Sequence, residues 1–80
     1  MRIRRQAAKN IIQHRLALGF SKSHLARLTK MSPSQISVIE AGSQNLTIES
    51  LAILARALKT TPAKLLEGNH EESVVEKKLD

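Results

Sequence analysis

Glu40 is the only acidic residue among the first forty-eight, in a stretch that carries Arg2, Arg4, Arg5, Lys9, Arg15, Lys22, Arg27 and Lys30. Such a carboxylate is either solvated at the surface or, if buried, in need of a cationic partner. Little else in the chain suggests covalent chemistry. His14, His24 and His70 have no partner four residues away, no cysteine exists, and no nearby carboxylate cluster completes a metal site. Glu71 and Glu72 are adjacent, so they diverge on a helix. There is no Gly-rich phosphate loop, and each serine has a capping or surface explanation. Neither an enzyme nor a cofactor is expected. Asn45-Leu46-Thr47 fits a glycosylation acceptor, which matters only in a secreted protein. The chemistry that remains is that of a binding surface.

Eighty residues suffice for one small domain with a modest core. Without cysteine, neither a disulfide nor a thiolate metal site can supplement that core. No apolar run approaches a membrane span, and polar residues interrupt the basic amino terminus at every turn, unlike a secretory signal. The expectation is a soluble, cytoplasmic chain. Residues 1–67 hold eleven of the thirteen Lys and Arg but three of the seven acids, a net +8, whereas residues 68–80 carry −2. A basic domain of this kind suits phosphate backbones, an anionic membrane or an acidic partner, and charge alone does not choose among them.

Punctuation in the sequence predicts five helices and no strands. The first spans about Gln6 to Leu18 and stops at Gly19, with Ala7, Ile11 and Leu18 on one face. Ser21 caps a second, Lys22 to about Thr29, with Leu25, Ala26 and Leu28 inward. Ser32, Pro33 and Gln35 supply an N-cap, a first-turn proline and a capping-box partner for a third helix that ends near Gly42. Its buried stripe is Ile36 and Ile39. Thr47 caps a fourth, Ile48 to Lys59, with Ile48, Leu51, Ala55 and Leu58 inward. Thr61-Pro62 starts a fifth, Ala63 to Glu67. The expected domain is 1–67. Residues 68–80 form an acidic C-terminal tail, open to disorder, a frayed helix or a partner-dependent strand.

Only Lys30-Met31-Ser32 join the second and third helices, which forces a steep crossing with Ala26 at the contact. Gripping the third helix by its isoleucines leaves Pro33, Ser34, Ser37 and Val38 outward. That is a helix-turn-helix, whose second helix can enter a major groove.

The stretch "FSKSHLARLTKMSPSQISVIEAGSQNLTIESLAILARAL" resembles the Cro-like phage-repressor (XRE) helix-turn-helix family. The features that match are Leu25-Ala26, the Ser-x-x-x-Ile-Ser-x-Ile-Glu-x-Gly pattern from Ser32 to Gly42, Asn45, and the Leu51–Leu58 helix. The resemblance covers about residues 7–66. It implies a five-helix, all-α domain that binds operator DNA as a homodimer and regulates transcription. It also implies that Arg15, late in the first helix, pairs with Glu40.

By the same resemblance, Lys22 meets the phosphate backbone of double-stranded DNA, and Ser32 belongs to a helix start whose N–H groups can hold phosphate. Ser34, Ser37 and Val38 face base edges, where serine discriminates weakly and Val38 suits a thymine methyl. Gln35 either completes its capping box or reaches DNA. Ser43, Gln44 and Asn45 line the backbone after the third helix. Lys30 stands where many relatives have Gly, which implies a left-handed backbone. Pro33 offers no hydrogen-bond donor, and Ala41 and Ser43 are uncharged where relatives have basic or amide groups. Direct readout is therefore expected to be sparse and DNA shape to matter more. Arg2, Arg4, Arg5 and Lys9 are either a DNA-binding arm or a solvated terminus.

Ile53 and Ala57 fall nearly opposite the inward stripe of the fourth helix, and Leu65 and Leu66 cannot both enter one small core. Together these four suggest a dimer interface. A membrane-surface helix over residues 2–18 lacks aromatic anchors and is set aside. The alternative to an autoregulatory operator-binding protein is an antitoxin, a role some members of this family have, with the tail holding a toxin or other protein partner.

Overall fold

The computed structural model describes residues 2–43 and 46–68. Five helices follow in order: α1 (Arg2–Ala17), α2 (Lys22–Thr29), α3 (Pro33–Glu40), α4 (Ile48–Ala57) and α5 (Pro62–Leu65). No strand occurs among the described residues. α3 packs on α2 and α1, while α5 closes the other side against α1 and α4. Gln44, Asn45 and all of the tail after Gly68 lie outside the described residues.

The starts of four helices follow from local chemistry. Ser21, Ser32, Thr47 and Thr61 each have extended backbone, and each side chain accepts a bond from an N–H three residues on. One orphan donor of each first turn is thereby satisfied, a gain of about 1 kcal/mol per cap. α1 begins earlier than predicted, because Arg and Gln favour helix and nothing before Gln6 interrupts it. α4 and α5 end earlier than predicted, at Ala57 and Leu65.

The ends of α1, α2 and α4 share one device. Gly19 adopts φ 75°, and paired bonds run from Phe20 N to Arg15 O and from Gly19 N to Leu16 O. Lys30 (φ 61°) and Lys59 (φ 59°) do the same for α2 and α4, with Met31 N bonding Ala26 O and Thr60 N bonding Ala55 O. A side chain in this conformation costs about 1–2 kcal/mol, part of which glycine returns as chain entropy. Lys30→Gly should therefore stabilise the domain by about 0.5–1 kcal/mol in urea unfolding. A loss of stability would mean that the Lys30 side chain makes a contact outweighing its strain.

Ile11, Leu25, Ile36, Ile39, Leu54, Leu58 and Leu65 are the largest fully buried side chains, with Ala26 and Ala55 between them. Each such aliphatic contributes about 1.5–3 kcal/mol by leaving water. Three expected core positions are instead exposed. Ile48 is 87 % exposed because it lies in the first turn of α4, whose buried stripe is Leu51, Leu54, Ala55 and Leu58. Leu28 is 48 % exposed, since Thr29 takes the inward place one residue later and bonds Leu25 O and Ala26 O through its hydroxyl. Leu18 follows the last helical residue of α1 and projects outward, while Phe20 packs against the core.

Candidate nucleic-acid interface

α3 is held from behind and bare in front. Ile36, Ile39 and Glu40 are buried, whereas Ser34, Ser37 and Val38 are exposed on the opposite face. This division follows from helical spacing: inward residues three or four apart leave the intervening positions on the far side. Ser32 Oγ accepts from Gln35 N at 3.0 Å, and Pro33 takes the first helical position, where a missing N–H costs nothing. The Gln35 side chain is half-buried beside this cap. Lys22 is exposed at the first position of α2. Ser43 is exposed after α3, its hydroxyl donating to Val38 O at 3.5 Å. Ala26, at 2 % exposure, lets α2 and α3 approach closely.

The opening acid has its partner. Arg15 Nε donates to Glu40 Oε2 at 2.7 Å and Nη2 to Oε1 at 3.1 Å, with the side chains 10 % and 4 % exposed. The remaining donor, Arg15 Nη1, reaches Phe20 O at 2.8 Å. One guanidinium thus joins α1, the α1–α2 turn and the C-terminal end of α3. A carboxylate at that helix end opposes the helix dipole, so the paired cation is what makes its burial tolerable.

Of the four residues expected at a dimer interface, Leu65 does not face outward: it is fully buried in the core of its own chain. The chain direction at α5 permits only one of the two leucines to point inward, and Leu66, 44 % exposed, is the one left at the surface. Ile53 (42 % exposed) and Ala57 line an open groove of about 690 Å3 between α2 and α4, together with Phe20 and Leu28. Leu28 was expected inward; three after Leu25, its spacing gave no warning, and it is Thr29, four after Leu25 and three after Ala26, that faces the core. Asn10 was missed as well. Its amide donates to Leu65 O and Glu67 O, both at 2.8 Å, anchoring the end of α5 to α1.

Among the described residues, no three His, Cys, Asp or Glu side chains gather in a way that could hold a metal ion. No described helix is long and apolar enough to cross a membrane.

A family model described as helix-turn-helix matches residues 11–65. Control protein C.SmaI of Serratia marcescens is 33 % identical over 66 residues, spanning 82 % of this chain and 79 % of that protein. The hypothetical transcription factor NHTF from Neisseria superposes with a TM-score of 0.81 at 25 % identity, over 91 % of this chain and 84 % of that one. The restriction-modification controller protein C.AhdI from Aeromonas hydrophila gives 0.73 at 28 % identity, over 76 % of this chain and 92 % of that one. A packed α2–α3 pair, a buried Arg–Glu clamp behind it and this span of similarity have one common explanation. The chain belongs to the Cro-like phage-repressor (XRE) helix-turn-helix family of DNA-binding transcription regulators.

Proposed function

We propose that this chain acts as a homodimer on a palindromic operator and controls its own promoter, in the manner of a restriction–modification controller. The observation that carries the reading is the outward face of α3, where Ser34, Ser37 and Val38 stand clear of the core on a helix fixed from behind. Small side chains let the helix backbone approach base edges closely. Serine hydroxyls read a base weakly and the Val38 methyls suit a thymine, so a short, permissive half-site follows. Lys22 and the N-terminal N–H groups of α2 and α3 would fix register on phosphates. Similarity to two proteins named as controllers supports the regulatory class.

Pairing of two chains through Ile53, Ala57 and Leu66 would set two reading helices about 34 Å apart, one turn of duplex. Selection of bound sequences from random duplex DNA is the test. The expected product is a two-fold symmetric motif with half-sites about one turn apart, most constrained at an A·T pair facing Val38. Recovery of unrelated sequences, or of a single unrepeated site, would overturn the dimeric operator reading.

A further inference from the structure

The reading helix has a charge deficit. From Met31 to Ala55 the sequence contains no Lys or Arg, although the chain has thirteen. Neither α3 nor the turn that follows it, Ala41 to Ser43, can therefore neutralise the duplex backbone passing the C-terminal end of α3. The structure brings in cations from elsewhere. At Gly42 the chain adopts φ +73°, and a Cβ there would lie 3.4 Å from Arg5 Cγ and 3.5 Å from Arg5 Cα. Those are ordinary contact distances, so the first half of α1 lies directly against the turn that closes α3, and it is the positive φ that calls for glycine there. A groove of about 480 Å3 opens along this contact, lined by Arg5, Gln6, Lys9, Ala41 and Gly42.

Arg5 and Lys9 are four apart on one face of α1 and both are exposed. Glu40 borders the same groove, but both its carboxylate oxygens are engaged by Arg15. No ion pair joins either cation to a carboxylate among the described residues. The first turn of α1 also holds no acid, so its positive charge works against the helix dipole and finds no local reward. An anion from outside the chain would supply that reward.

We infer that Arg5 and Lys9 form a phosphate clamp for the DNA strand that passes the C-terminal end of α3. This rests on the operator-binding reading above and adds to it a rigid helical contact in place of an arm. The clamp carries affinity and not base preference, because phosphates are the same at every step.

The test uses the full chain and a fluorescent duplex bearing the selected operator, titrated across a range of salt. Arg5→Ala and Lys9→Ala should each lower the slope of log affinity against log salt by about 0.9, and weaken binding about eightfold at about 0.1 M salt. Base preference should be unchanged, and Arg5→Lys should keep the wild-type slope. Lys64→Ala, which removes the same charge on α5, should leave the slope alone. An unaltered slope in the Arg5/Lys9 double variant, with steep salt dependence in the wild type, overturns the clamp while sparing the operator reading. Equal losses from Lys64→Ala and Arg5→Ala overturn it too, since they would report net charge alone. If the wild type binds no duplex, the operator reading falls and takes the clamp with it.

Discussion

Glu40→Ala is expected to cost about 3–5 kcal/mol, because it leaves the Arg15 guanidinium buried without a counter-charge. Domains of this size hold about 0.05–0.15 kcal/mol per residue, so a large share of the total stability would be lost. The intact pair adds far less than that to net stability, since its attraction is spent on desolvating two charges. Urea unfolding of Arg15→Ala, Glu40→Ala and the double variant separates the two quantities. The double variant should be markedly more stable than the sum of the single losses implies; strict additivity would refute the coupling. Arg15→Lys should recover only part of the loss, because an ammonium cannot make two parallel bonds to Glu40 and also reach Phe20 O. The pair sits at the end of α3 opposite to Pro33, behind the helix and away from Ser34 and Ser37. Its loss should therefore weaken DNA binding in proportion to lost fold, with base preference intact.

The neighbouring leucines of α5 should give opposite results. Leu65→Ala removes a fully buried side chain and is expected to cost about 2–5 kcal/mol, with any weakening of self-association secondary to unfolding. Leu66→Glu and Ile53→Glu alter side chains that are nearly half exposed, and each should leave stability within about 0.5 kcal/mol. Placing charge on an apolar contact surface should nonetheless make both chains monomeric in sedimentation equilibrium and weaken operator binding steeply. A dimer that survives both glutamates would place the contact elsewhere. Were Leu66→Glu to unfold the chain, α5 would be turning its other leucine to the core.

Much of this was legible before any coordinates. Ser, Thr and Pro mark helix starts because their side chains or ring satisfy the first turn locally, and the starts of α2, α3 and α4 were readable to the residue. Ile36 and Ile39 identified the inward side of α3, which left Ser34, Ser37 and Val38 on the other. The left-handed Lys30 was foreseeable from the family resemblance, since it stands where many relatives have Gly.

What local signals could not supply was which apolar residues are covered. Ile48, Leu28 and Leu65 have nearly the same hydrophobicity, yet the first two are exposed and the third is buried. Their difference depends on where another helix happens to lie, which periodicity along one helix does not encode. The same holds for Arg5: its place beside Gly42 joins residues thirty-seven apart and exists only because α1 crosses the end of α3. The sequence by itself determined the helices, their caps and the outward face of α3, because each depends on neighbours within one or two turns. Tertiary structure alone decided which leucine is core, which is surface, and which cations stand beside the reading helix, because those depend on contacts between distant segments.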